Sequence, residues 1–354
     1  MQILLVEPQY YTRYPPLPLL RLGSYHEAEG DNVELVYGTE LPTKKPDKIY
    51  ITSLFTYAWK PVHDCVGFFS KKYSNKIIEV GGIYASLLED RVKELGVSVH
   101  TGRKKEVEGF LPKYELLKSR WNGWDTSILF SSRGCVNSCR FCAVPRLEPV
   151  FECFRTIKGL IEAKHPKIIL WDNNFLASKY KNEILEELIE FDKEVDFNQG
   201  LDAAFIDERT VNILKQLKIK LFRLAYDSPK SRASVLNAIE IFKANEISGR
   251  KILVYTLYNY NDSPEIFFDR VKELLTAGVV VYPMRYEPAG ALKKNNHVGK
   301  NWNTDQLELL ARARRVIGFG GAFPPYEGLV NKLSRARNFD EAFSLRPARR
   351  KRPA

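Results

Sequence analysis

The sequence predicts an α/β protein in two consecutive parts: a doubly wound parallel sheet, then an incomplete β/α barrel. Three observations carry this expectation. Short apolar segments alternate with helix-periodic ones along most of the chain, and the series restarts near residue 126. The second series holds six strand-plus-helix units or nearly so, fewer than the eight that close the usual barrel. At 354 residues, 44% hydrophobic and 27% charged, the chain can bury two cores and has the balance of a soluble globular protein.

In the first part, QILLVEP (2–8) is an apolar strand with a proline stop, and LPLLRLGSYHEAEG (17–30) has helical periodicity closed by Gly30. VELVYG (33–38), KIYITSLF (48–55) and KIIEVGG (76–82) read as strands, with a segment from about 61 to 73 before the last of them. A helix over 86–96 and a strand over 97–102 complete a domain of residues 1–102. Such alternation implies a parallel sheet covered on both faces, with ligands expected at the carboxyl ends of the strands. The polar stretch 103–125 reads as a linker.

The second part spans 126–288. Strand SILFSS (127–132) runs into a cysteine-rich loop, and helix 154–165 precedes strand KIILW (167–171) and the turn DNN (172–174). Helix 181–194 precedes VDFNQG (195–200), and helix 207–218 precedes KLFRLAYDS (220–228). Helix 231–245 leads to KILVYTLYNYND (251–262), and helix 263–278 leads to VVVYPMRYEP (279–288). Most of these strands end in polar or charged residues, which the topology gathers on one rim. Residues 289–354 form a basic C-terminal region with a helix over 304–318 and a tail, RPARRKRPA (346–354), expected to be disordered.

Nothing at the N-terminus has the basic-then-apolar pattern of a signal peptide, and no apolar run approaches the ~18 residues of a membrane span. A cytoplasmic location away from membranes is expected. Three of the five cysteines fall within eight residues, a distribution that suits metal binding in a reducing compartment better than a disulfide framework. The net charge of +11 and the basic tail allow phosphate contact, so a nucleic-acid partner is one reading and a solvated tail the other. Trp302, Phe319 and Phe323 near that tail would suit a nucleic-acid base, although Trp302 equally suits an anchor packed at a helix start.

The loop RGCVNSCRFC (133–142) places Cys135, Cys139 and Cys142 in a C-x3-C-x2-C spacing. A 4Fe–4S cluster has four irons, each ordinarily held by one thiolate, so three thiolates leave one iron open for chemistry. The competing reading is a structural zinc site closed by Cys153 or His165, within a non-catalytic nucleic-acid-binding protein. Cys65, at helical spacing among apolar residues, reads as a buried thiol, and His26 and His63 as solvated or core histidines.

With Phe141 before the last cysteine and a partial barrel behind it, the loop resembles that of the radical S-adenosylmethionine superfamily over residues 126–290. The resemblance implies that Cys135, Cys139 and Cys142 bind a 4Fe–4S cluster whose open iron chelates S-adenosylmethionine. An electron from a reductant such as flavodoxin or ferredoxin would cleave the sulfonium bond and generate a radical that abstracts hydrogen from a substrate. Asp172, Asn173 and Asn174 stand where the superfamily often carries Gly-Gly-Glu, so the sequence departs from that pattern while keeping acceptors for the methionyl ammonium. Gln199 and Asp202 are candidates for the ribose or carboxylate, and Arg223, with Tyr226 and Asp227 on the same strand, for the methionyl carboxylate. Tyr255, Met284 and Arg285 would meet the adenine or the substrate, and for Asp227 helix capping is the alternative role.

The first domain in this position resembles the flavodoxin-like, cobalamin-binding domains of one class of the superfamily, through PPLPLLRLGSYHEAEGDNVELV (15–36), TSLFTY (52–57) and VGGIYAS (80–86). That resemblance implies cobalamin contacts from Ser53, Leu54, Thr56, Gly81, Gly82, Ile83 and Tyr84, and methyl transfer to an unactivated carbon; a tight strand-to-helix turn is the other reading of Gly81-Gly82. The Asp-x-His-x-x-Gly signature of a histidine cobalt ligand is absent. No cysteine follows Cys153, which disfavours auxiliary clusters and a C-terminal catalytic cysteine, and no single residue stands out as a catalytic acid or base.

Overall fold

The computed structural model describes residues 1–317 and 326–344. The chain forms two compact units, Met1–Trp171 with Pro288–Lys294, and Asp172–Glu287 with the residues from Asn295 onward. No helix among the described residues is long and apolar enough to cross a membrane.

The first unit opens with β1 (Gln2–Glu7), α1 (Leu17–Ala28), β2 (Asn32–Tyr37), β3 (Lys48–Ser53) and α2 (Trp59–Ser70). It continues through β4 (Ile78–Gly82), the one-turn helices α3 (Ile83–Leu87) and α4 (Glu89–Lys93), and β5 (Ser98–His100). The five strands pair in parallel in the order β2-β1-β3-β4-β5. This is the doubly wound order whose topological switch lies between β1 and β3. Strand alternation divides β1 between two cores. Ile3 and Leu5 pack with Leu19, Leu20 and Leu22 of α1, while Leu4 and Val6 pack with Val62, Val66 and Phe69 of α2. Each such buried side chain contributes on the order of 1.5–3 kcal/mol relative to exposure. Residues 103–125 are tied into the α1 side: Val107 and Tyr114 are buried in that core, and the Tyr114 hydroxyl accepts from Ile128 N at 2.9 Å.

The same unit holds β6 (Thr126–Leu129), paired in parallel with β9 (Lys167–Leu170). Between them lie β7 (Ser132–Arg133), α5 (Val144–Leu147) and β8 (Glu152–Cys153), with Ser132 opposite Cys153 in an antiparallel ladder. The helix expected over 154–165 is absent. Phe154 N donates to Ser131 O at 2.9 Å, continuing the hairpin, and Gly159 takes φ 86°, which an α-helix does not allow. Ile157 is sealed and Glu162 N donates to the Ser127 hydroxyl at 3.0 Å, so tertiary contacts outweigh the segment's helical periodicity.

The second unit contains α6 (Lys181–Phe191), β10 (Glu194–Phe197), α7 (Glu208–Leu214), β11 (Lys218–Ile219), β12 (Phe222–Ala225), α8 (Arg232–Ala244), β13 (Ile252–Tyr258), α9 (Pro264–Thr276) and β14 (Val280–Arg285). Beyond these lie α10 (Thr304–Ile317), α11 (Tyr326–Arg335) and α12 (Phe339–Phe343). β10 pairs with β11, and β12, β13 and β14 form a second parallel sheet, so no closed barrel is formed among the described residues. Helix starts follow their sequence signals: the Asp207 carboxylate accepts from Thr210 N at 2.7 Å, and the Ser263 hydroxyl from Ile266 N at 3.3 Å with Pro264 at the first position. Trp302 is buried against Phe267 and Phe339 and donates its indole N–H to Asp262 O at 3.0 Å. It is therefore an anchor and cannot stack on a nucleic-acid base. Phe319, Phe323 and the basic tail lie outside the described residues.

Candidate functional site

The cysteine loop is delivered by β6 and held at its base by the β7–β8 hairpin. Gly134 sits at φ 74° immediately before Cys135, and a Cβ there would collide with Val150 O and come within 3.0 Å of Glu148 O. Its N–H donates to the Glu148 carboxylate at 2.7 Å, and the same carboxylate takes Arg133 at 2.8 Å. Past this anchor, Cys135 and Cys142 are half-buried and Cys139 is exposed. Backbone N–H groups of Asn137 and Val144 lie 3.4 Å from the sulfurs of Cys135 and Cys142. N–H···S contacts of this kind surround the sulfur of a metal-bound cysteine. No group of three or more His, Cys, Asp or Glu side chains that could hold a metal ion is found among the described residues; the three thiols share one short loop.

Of the two residues that would close a zinc site, His165 is engaged elsewhere. His165 is buried, with Nδ1 3.1 Å from the Ser127 hydroxyl and its ring 4.6 Å from that of Tyr114. Cys153 lies in β8 rather than at a helix start. The cysteine loop's base is strongly charged: Glu152 is held down to about 2 by hydrogen bonds from Lys105 and Arg103.

In the five-stranded sheet, Ser53 ends β3 and is sealed. Its hydroxyl donates to Gly81 O at 2.8 Å and accepts from Ala85 N at 3.0 Å. Gly82 takes φ 107°, and a Cβ there would strike Ser53 O. Ser53, Gly81 and Gly82 thus lock the turn from β4 into α3. Tyr84 is fully buried, its hydroxyl 2.7 Å from His63 Nε2, so this expected ligand contact is instead part of the core. Ile83 and Phe55 are the exposed apolar residues at this edge. Thr56 donates to Ala289 O and Ala291 O at 3.0 and 2.7 Å, which holds residues 288–294 against the unit. Cys65 is a buried thiol, pushed up to about 12 by burial.

In the second unit, Asp172 and Asn174 are buried in the turn that opens it, with Asn173 half-buried between them. The Asn174 amide donates to the Asp202 carboxylate at 2.9 Å, and the other Asp202 oxygen accepts from Ala204 N at 3.1 Å, capping the following turn. The polar ends after β9 and β10 are therefore joined directly. Gln199 is exposed beside Gly200.

Arg223 and Tyr255 lie within β12 and β13 rather than at their ends. Arg223 donates to Asp196 of β10 and to the Tyr255 hydroxyl. Tyr255 meets Tyr282 of β14 edge-on at 5.6 Å, and Arg314 of α10 donates to the Tyr282 hydroxyl. Asp196, Tyr282 and Arg314 were not among the sequence-derived candidates. For Asp196 the signal was strand alternation: it sits between buried Val195 and Phe197, in a strand whose other face must also be lined. Burial pushes the Asp196 carboxyl up, with Arg223 opposing. Asp227 does not cap a helix. Its carboxylate accepts from Leu257 N at 3.1 Å, extending the β12–β13 ladder, and burial raises it to about 6. Arg285 is ion-paired to Glu287 at 3.3 Å, and Met284 is exposed.

No protein-family model and no curated protein sequence matches the chain. Among solved structures, it is similar to the radical S-adenosylmethionine methyltransferase TsrM from Kitasatospora setae, determined with tryptophan substrate and an S-adenosylmethionine analogue bound. The TM-score is 0.63 at 12% identity, covering 82% of this chain and 75% of that one. The two share a fold. A galactofuranose binding protein superposes with a TM-score of 0.20 at 13% identity over 90% of this chain and 100% of that one, too little to relate the folds.

Proposed function

We propose that this chain is a radical S-adenosylmethionine enzyme. The observation that carries the reading is the three-cysteine loop entered directly from the first strand of the second α/β series, on a fold shared with a radical S-adenosylmethionine methyltransferase. Cys135, Cys139 and Cys142 are the proposed ligands of a 4Fe–4S cluster, and the N–H···S contacts to two of them suit thiolate ligands. When bound and reduced by a donor such as flavodoxin or ferredoxin, that cluster supplies the electron for cleaving S-adenosylmethionine.

The chain's own residues bind and orient. Asp172, Asn173 and Asn174, with Asp202, present acceptors for an ammonium, and Gln199 has an exposed amide for a ribose. Arg223, steered by Asp196 and Tyr255, offers its remaining donors to a carboxylate. Cobalamin is assigned to the carboxyl edge of the five-stranded sheet, beside the turn that Ser53, Gly81 and Gly82 lock, supported by the β2-β1-β3-β4-β5 order that puts a ligand crevice at the strand ends, and with it methyl transfer to an unactivated carbon.

Protein reconstituted with iron and sulfide without oxygen should gain visible absorption and release 5′-deoxyadenosine when reduced with S-adenosylmethionine. Cys139→Ala should lose both. Retention of both by that variant, or zinc at one per chain with negligible iron in the native protein, would refute the reading.

A further inference from the structure

A network of charges at the base of the cysteine loop leaves one buried cation outside it. Arg103 is ion-paired with Glu108 at 3.1 Å and Glu152 at 2.5 Å, and Arg133 with Glu108 at 3.2 Å and Glu148 at 2.8 Å. Lys105 takes the second oxygen of Glu152 at 2.7 Å. Among the described residues these three carboxylates and three cations pair with one another, and Arg21 makes none of these pairs.

Arg21, on α1, is 5% exposed, and its Nε and Nη2 are buried with no hydrogen-bond partner among the described residues. Burial pulls its pKa down to about 10; Glu108 offsets part of that and Arg133 adds to it. A buried guanidinium without a partner is among the costlier arrangements a fold retains, so its persistence asks for an anion that completes it.

The surroundings supply a second unused donor. Phe130, directly after β6, carries the Arg133 guanidinium 3.8 Å from its ring centroid and that of Arg21 at 5.9 Å. Trp171, directly after β9, meets Phe130 at 6.0 Å and is met edge-on by Tyr14 at 5.2 Å. Its indole Nε1 is also buried without a hydrogen-bond partner among the described residues. Guanidinium and indole nitrogens are donors only, so only an acceptor satisfies both, and a negatively charged one answers the Arg21 charge as well.

We propose that Arg21 and Trp171 form a seat for a small oxyanion, the carboxylate or phosphate group of a ligand, beside the carboxyl ends of β6 and β9 with Phe130 and Tyr14 as its walls. The seat is independent of the cysteine loop's chemistry, so its test needs no cofactor.

The melting temperature of the full chain is followed against inorganic phosphate and against benzoate, with chloride holding ionic strength constant. A saturating, single-site rise of several degrees is expected for one of the two, and which one names the ligand's anionic group. Arg21→Met should abolish that rise while melting, without added anion, no lower than the wild type, because it removes an unpaired buried charge. Trp171→Phe should weaken the anion's apparent affinity at least threefold. The absence of a saturating rise for both anions, its persistence in Arg21→Met, or an Arg21→Met chain that fails to fold would each overturn the proposal.

Discussion

Gly134→Ala tests whether the cysteine loop is set by its anchor. The residue lies at φ 74°, where a Cβ costs roughly 1–2 kcal/mol from backbone sterics alone. A Cβ would also collide with Val150 O and lie 2.9 Å from Val150 C and 3.0 Å from Glu148 O, all backbone atoms that no rotamer change removes. The 148–150 strap must then move, an overpacking cost of about 1–3 kcal/mol, and the bond from Gly134 N to the Glu148 carboxylate is strained with it. The expected total is about 2–5 kcal/mol. Gly159 is the matched control, since it lies at φ 86° with nothing within 4 Å of a built Cβ. Gly159→Ala should therefore cost only the backbone part, about 1–2 kcal/mol. Urea unfolding of the wild type and both variants gives the two differences at constant slope. Iron retained after anaerobic reconstitution should fall in Gly134→Ala and hold in Gly159→Ala. Equal destabilisation of the two variants, or full iron retention by Gly134→Ala, would refute the anchoring argument.

Other consequences follow from particular side chains. Asp227 has a folded pKa of about 6 against an ordinary 3.8, so the folded state binds its proton more tightly. Stability from this group is full below about pH 4 and is lost as pH rises through 6; Asp227→Asn should remove up to about 2–3 kcal/mol of that decline, read as the pH dependence of the urea midpoint. Asp196→Asn and Arg223→Met should be non-additive in a double-mutant cycle, with a coupling on the order of 1 kcal/mol or more, whereas additive losses would mean that the pair does not act as a unit. Tyr114→Phe leaves Ile128 N without its acceptor and should cost about 1–2 kcal/mol by chemical denaturation, with no loss of iron uptake.

Much of the fold was legible because it is written in local periodicity. The runs at β1, β3 and β13 and the capped starts of α7 and α9 appear where alternation and Asp, Ser and Pro signals put them. The clearest failure, the expected helix over 154–165, has good helical periodicity but loses to the hairpin bond at Phe154, the sealed Ile157 and the left-handed Gly159. Of the candidate site, the spacing of the three cysteines was readable because all three ride on one short loop. The Asn174–Asp202 and Asp196–Arg223–Tyr255 contacts join residues on different elements, 28, 27 and 32 positions apart, and no local pattern pairs them.

By itself the sequence determined an alternating α/β chain, a loop bearing three thiols after the first strand of its second series, and polar residues near the strand ends. Each of these depends on neighbours a few residues apart, which a linear pattern encodes. Tertiary structure alone decided that Ser53 and Tyr84 are consumed by the turn and core, that Trp302 is an anchor, and that Arg21 is a buried cation without a carboxylate. The reason is physical: desolvation and partner geometry set a polar side chain's role, and both exist only once distant segments pack.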